Sequence, residues 1–103
     1  MTDAEIASAL AALGHEARLK LFRLLMRAGP EGLSVGEIGR HLGLAPSTLA
    51  HHLGALVAAG LVEQEKQGRA VISRADFAAL RGIFRAVEAE CCAGVETLDD
   101  DAA

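Results

Sequence analysis

The chain contains no Trp, no Tyr and only three Phe among its 103 residues. Large aromatics therefore cannot build its core. Ala and Leu must fill it, which favours helices over a sheet-rich fold. No apolar run reaches the length of a secretory signal or a membrane-spanning helix, and the opening Met1-Thr2-Asp3-Ala4-Glu5 is acidic. A cytoplasmic protein with no membrane partner is expected. Catalytic signatures are missing as well: there is no Gly-rich phosphate loop, no Cys-x-x-Cys pair and no third group to activate a thiol nucleophile. Nothing supports an enzyme, and no constitutive cofactor is expected.

A positive balance is also lacking, since ten Lys and Arg stand against fourteen Asp and Glu for a formal net charge of −4. The distribution matters more than the sum. Residues 76–103 carry Asp76, Glu88, Glu90, Glu96, Asp99, Asp100 and Asp101 against Arg81 and Arg85. Residues 40–75 reverse the sign, with Arg40, Lys66, Arg69 and Arg74 against Glu63 and Glu65, a net of +2, and His41, His51 and His52 besides. This asymmetry fits a DNA-facing middle and an acidic far end, although so small a charge would hold a single copy on DNA only weakly.

What is present has the length of one domain, able to bury about two-thirds of its unfolded surface. Thr2-Asp3-Ala4-Glu5 matches a capping box, and Ile6, Leu10 and Leu13 behind it give a short amphipathic first helix that Gly14 can end. From His15 to Arg27, the apolar Leu19, Leu21, Phe22, Leu24, Leu25 and Met26 cover most of a helix, leaving Lys20, Arg23 and Arg27 on a solvated stripe. Ala28 to Gly32 is a turn by composition. Ser34-Val35-Gly36-Glu37 is a second capping box, with Leu33 and Ile38 placed as a hydrophobic staple, and it opens a third helix running to about Leu42.

Gly43-Leu44 then turns the chain into the stretch that resembles a DNA reader. Pro46 suits a first helical turn, Leu49, Leu53, Leu56 and Val57 recur on one face, and Ser47, Thr48, His51 and Ala55 fall on the other. Two short helices joined by a tight Gly-containing turn are the helix-turn-helix pattern, whose second helix enters the major groove. Ser47, Thr48 and His51 are the candidate contacts. His52 joins them from the edge of the buried face, where it can equally pack. After Ala59-Gly60, Leu61 to Lys66 and Ala70 to Ser73 are β-prone runs around Gln67-Gly68-Arg69, a hairpin with Arg69 at its tip for a phosphate or the minor groove. Asp76 to Cys92 forms the last helix, with Phe77, Leu80, Phe84, Val87 and Cys91 as a seam at three- and four-residue spacing. That seam fits either the domain's own core or a symmetry mate. Gly94 ends it, so residues 1–94 form the domain and residues 95–103 an acidic, disordered tail.

This order of elements resembles the arsenic-repressor (ArsR/SmtB) family of winged helix-turn-helix transcriptional repressors over residues 4–93. The residues that carry the resemblance are Ala12-Leu13-Gly14-His15-Glu16-Ala17-Arg18-Leu19, Pro46-Ser47-Thr48-Leu49-Ala50-His51-His52-Leu53, Ala59-Gly60-Leu61-Val62 and the Gly68-Arg69 wing. It implies a mainly α fold with a small β-hairpin, a homodimer through the first and last helices, and double-stranded operator DNA as partner, released by a metal, metalloid or other thiol-reactive inducer. Dimerisation also follows from affinity, because so few positive contacts need doubling at physiological salt, on half-sites about 10 base pairs apart. One departure is that many members have Ser at the positions of Ala45 and Ala50.

Two inducer sites of the family are absent. The third helix reads Leu33-Ser34-Val35-Gly36 where a Leu-Cys-Val-Cys pattern is needed, and residues 76–92 contain no His for a zinc site on the last helix. What remains is Cys91-Cys92, resembling the arsenic-responsive subgroup with a vicinal pair at that position. The plain alternative is that Cys91 fills the seam and Cys92 is incidental. Adjacent thiols are poorly placed for a relaxed disulfide, whereas a large soft ion can be clasped by neighbouring sulfurs. Glu88, Glu90 and the helix C-terminus disfavour a reactive thiolate. The expected inducer is thus trivalent arsenic or antimony on Cys91 and Cys92, with organic arsenicals, which have two exchangeable positions, at least as effective as arsenite. A persulfide- or redox-sensing repressor of the same fold is the alternative.

Overall fold

The computed structural model describes residues 1–98. Five helices and three short strands follow in the order α1 (Asp3–Leu13), α2 (Glu16–Ala28), β1 (Leu33–Ser34), α3 (Val35–Leu42), α4 (Pro46–Ala58), β2 (Val62–Gln67), β3 (Ala70–Ala75) and α5 (Phe77–Glu88), with one 3₁₀ turn at Gly29–Glu31. The fold is mainly helical with a small antiparallel hairpin, as expected. Both capping boxes form: the Thr2 and Ser34 hydroxyls each accept from the backbone three residues on, and Glu5 and Glu37 reach back to the cap N–H at 3.0 Å. Those N–H donors hold both carboxyls below the usual range. Gly43, at φ 64°, closes α3 in the left-handed conformation from which the chain turns into α4.

The core is collected around α2. Its Leu21, Phe22, Leu24 and Leu25 meet Ile38 of α3, Leu49, Leu53 and Leu56 of α4, Leu61 and Val62 at the start of the hairpin, and Ile83 of α5. β2 and β3 pair from Val62↔Ala75 to Gln67↔Ala70, and Asp76 extends the hairpin by donating to the Leu61 carbonyl. Ser73, fully buried in β3, accepts from Gln64 Nε2 at 3.1 Å.

Several expectations are corrected. A third strand, β1, pairs with β3 through Leu33↔Ser73 and Ser34↔Ile72, so the sheet order is β1-β3-β2. Two residues carry too little periodicity to be read as a strand, and the capping box that follows takes them for a helix approach. In α1 the core face is Ala9 and Ala12, while Leu10 stands outside. In α5, Ile83 is the core residue at 2% exposed, whereas Phe84 and Val87 of the expected seam are 56% and 54% exposed. The seam is therefore divided, with Phe77 and Leu80 packed inward and its later half facing out.

The last helix also stops sooner, at Glu88 rather than Cys92. Glu90 donates to Val87 and Cys91 to Glu88, tightening the chain into turns, and Cys92 takes φ 62°. A non-glycine residue there costs roughly 1 kcal/mol, and it keeps the turns after Glu88 from resuming a helix. Cys91 is exposed and meets no core neighbour that would favour further helix. Residues 95–98 are exposed and without regular structure, and the rest of the acidic tail lies outside the described residues.

Candidate DNA interface and thiol pair

The phase of α4 decides what it can show to DNA. Its buried stripe is Leu49, His52, Leu53 and Leu56; Ser47, Thr48, Ala50, His51 and Gly54 are exposed. Ala55, expected outside, is half-buried, and Val57, expected inside, is exposed. The helix is turned because His52 occupies the inner face. It is 7% exposed and its Nδ1 accepts from Arg18 Nε of α2 at 3.3 Å. Of the two roles open to His52, the fold supports packing, with its ring buried against α2 and turned away from the exposed face of Ser47, Thr48 and His51.

Ser47, Thr48 and His51 lie on one small-residue face that permits close approach to a groove floor. Ala45 gives the helix no side-chain cap and no acid sits in its first turn. The first backbone N–H groups thus point outward with the positive end of the helix dipole, a disposition suited to phosphate. At the hairpin tip, Gly68 has φ 62° and precedes exposed Arg69, the arrangement of a two-residue hairpin turn that presents the second side chain. Arg74, counted among the local cations, is tied down instead: Nε donates to the Pro30 carbonyl at 2.8 Å and Nη1 pairs with Glu65 at 2.9 Å. It braces the hairpin against the turn after α2 and leaves Lys66 and Arg69 as the exposed cations of the wing.

Arg18 was missed among the site residues. Besides His52, its Nη2 meets His51 Nε2 at 3.4 Å, and the His15 ring stacks at a tilt 4.9 Å from His52. The signal was its phase, because Arg18 lies on the side of α2 opposite Lys20 and away from the solvated stripe.

The two thiols are exposed beyond the end of α5 with their sulfurs 3.1 Å apart. The hydrogen bond they share pushes the Cys91 thiol up, with desolvation adding to it. Both groups are positioned to act on one soft atom, although no cluster of three His, Cys, Asp or Glu that could hold a metal exists among the described residues.

Residues 13–65, half of the chain, match the profile of a helix-turn-helix domain family. The chain is similar to an ArsR-like transcriptional regulator from Rhodococcus sp. RHA1, with 37% identity and a TM-score of 0.74 over 84% of this chain and 78% of that one. It belongs to the ArsR family of transcriptional regulators. Membership carries the winged helix-turn-helix reading of α3, α4 and the hairpin, and the family is one of DNA-binding regulators rather than enzymes. The chain is also similar to the transcriptional repressor BigR from Xylella fastidiosa, at 30% identity and a TM-score of 0.66 over 88% of this chain and 90% of that one. A protein described as an arsenical resistance operon repressor in Halobacterium salinarum is 42% identical over 60 residues, 58% of this chain; the chain spans about half of that protein's length, 46%. No helix among the described residues is long and apolar enough to cross a membrane.

Proposed function

We propose that this ArsR-family regulator is a homodimeric repressor whose operator affinity is lost when trivalent arsenic, or antimony, binds Cys91 and Cys92. The observation that carries the reading is the pair of exposed sulfurs 3.1 Å apart at the end of α5, beside the face that would join two copies. Leu19 of α2 and Phe84 of α5, both exposed, lie together on that face, and Leu10 of α1 and Val87 of α5 are exposed as well. A groove of about 400 Å³ runs between α2 and α5, lined by Leu19, Phe22, Met26, Leu80 and Phe84 among others. Apolar side chains in such number on one side of a small domain favour a partner, and a second copy places two α4 helices on successive major grooves.

The chemistry suits thiols that keep their protons. A monosubstituted trivalent arsenical carries two hydroxyls; each leaves as water with one thiol proton as an As–S bond forms, and no oxidation state changes. Two sulfurs satisfy that count, and the lack of a third thiol favours organic arsenicals over arsenite. Cys91 and Cys92 sit next to the outward half of α5, so closing a ring across them would alter the joint between copies and the spacing of the two readers.

A second reading, a persulfide or oxidant sensor, draws on the same 3.1 Å separation, while the raised Cys91 thiol slows attack on such reagents. Fluorescence anisotropy of a labelled duplex from immediately upstream of the protein's own gene tests both. Release by phenylarsenite and arsenite, with polysulfide without effect, supports the arsenic reading. Release by polysulfide alone overturns it.

A further inference from the structure

The cluster beside α4 has an unusual composition around the half-buried Arg18, because its partners are histidines. Arg18 donates from Nε to His52 and from Nη2 toward His51, and neither atom faces a carboxylate. The groups acting on the His52 ring are His15 and Arg18 from the start of α2 and His51 from α4.

A guanidinium has donors only and does not give up its proton in proteins. Whichever ring nitrogen faces it must accept, which fixes the tautomer of each neutral ring. His52 accepts at Nδ1 and carries its proton on Nε2. His51 accepts at Nε2 and carries its proton on Nδ1, the opposite tautomer from the one an imidazole prefers in water. His51 is exposed on the reading face of α4, so its remaining ring nitrogen can only donate. Donation selects among base edges: in the major groove guanine and adenine offer N7, guanine also O6 and thymine O4 as acceptors, whereas cytosine offers only its N4 donor.

We propose that Arg18 is a specificity-determining positioning residue: by engaging His52 and His51 together it fixes His51 as an Nδ1 donor, so that α4 selects an acceptor edge and rejects cytosine at the base facing His51. This rests on the placement of α4 in the major groove. Arg18 itself need not touch DNA. Loss of this contact is worth about tenfold in affinity per half-site.

Long-range ¹H–¹⁵N correlation spectra of the free wild-type protein read the tautomers directly. Nδ1–H at His51 and Nε2–H at His52 are expected, with His51 reverting to Nε2–H in Arg18→Met and the native form largely kept in Arg18→Lys. Selection from a random duplex pool then defines the site, and probes with cytosine placed at the selected base are compared with the parent. Wild type is expected to lose about tenfold per half-site and Arg18→Met to be indifferent. Nε2–H at His51 in the wild type overturns the inference alone, as does a uniform loss of affinity in Arg18→Met that keeps the discrimination against cytosine. Expected tautomers with no sequence preference in the pool overturn the placement of α4 on DNA, and the inference with it.

Discussion

Gly29 and Gly32 form a matched pair. They have nearly the same backbone, φ 73° and ψ −159° against φ 67° and ψ −165°, in a region that only glycine populates freely. Their surroundings differ. A Cβ on Gly29 would meet nothing within 4 Å, whereas one on Gly32 would lie 2.3 Å from the Ser73 carbonyl oxygen and 2.8 Å from Arg74 Cγ. Gly29→Ala therefore isolates the backbone cost, about 1–3 kcal/mol. Gly32→Ala adds displacement of β1 from β3, where two residue pairs hold the strand; losing their ladder hydrogen bonds costs about 1 kcal/mol each. The expected difference between the variants is thus about 2 kcal/mol. In a domain of this size that is roughly a 10 °C lower midpoint for Gly32→Ala than for Gly29→Ala. Thermal unfolding by circular dichroism at one fixed protein concentration measures it, the concentration being fixed because self-association shifts midpoints. Midpoints within 2 °C of each other would refute the claim that β1 is clamped to β3 through Gly32.

Other perturbations separate the parts of the site. Phe84→Asp places a charge on the exposed half of α5 without touching Ile83, and should give monomers in sedimentation velocity with helical content retained. Arg69→Ala should lower the slope of log affinity against log salt by about one for each wing that meets a phosphate, with little change in sequence preference. Burial, with His15, Arg18 and His51 adding to it, lowers the proton affinity of His52 in the folded protein. The unfolded chain then binds a proton near pH 6.5 before the folded one does, so stability should fall as pH drops below about 6.5. Urea titrations at pH 7.5 and 5.5 should show that fall in the wild type and a smaller one in His52→Gln.

Local rules made much of the fold legible. Thr2 with Glu5, Ser34 with Glu37, and Gly43 each satisfy backbone groups at a helix end through neighbours in sequence, so the boundaries they set are readable without a tertiary partner. The hairpin around Gly68-Arg69 follows for the same reason. Burial was less readable. Spacing groups Phe84 and Val87 with Phe77 and Leu80, but which of them meets the core depends on where α2 lies, and Ile83 occupies that place. His52 and Arg18 are the stronger case: His52 lies at the edge of the buried face by spacing alone, and its burial against the half-buried Arg18 depends on a contact 34 residues away in sequence. Cys91 and Cys92 were identified as a pair by adjacency, while the left-handed turn that carries them beyond α5 follows from the absence of core beside that last segment.

Regulation requires the two thiols to act on the two readers. Anisotropy titration of the upstream duplex with wild type, Cys91→Ser and Cys92→Ser, each with and without phenylarsenite, measures that link in one experiment. All three proteins are expected to bind the duplex alike, and only the wild type to be released. Release of both serine variants at the wild-type arsenical concentration would contradict it.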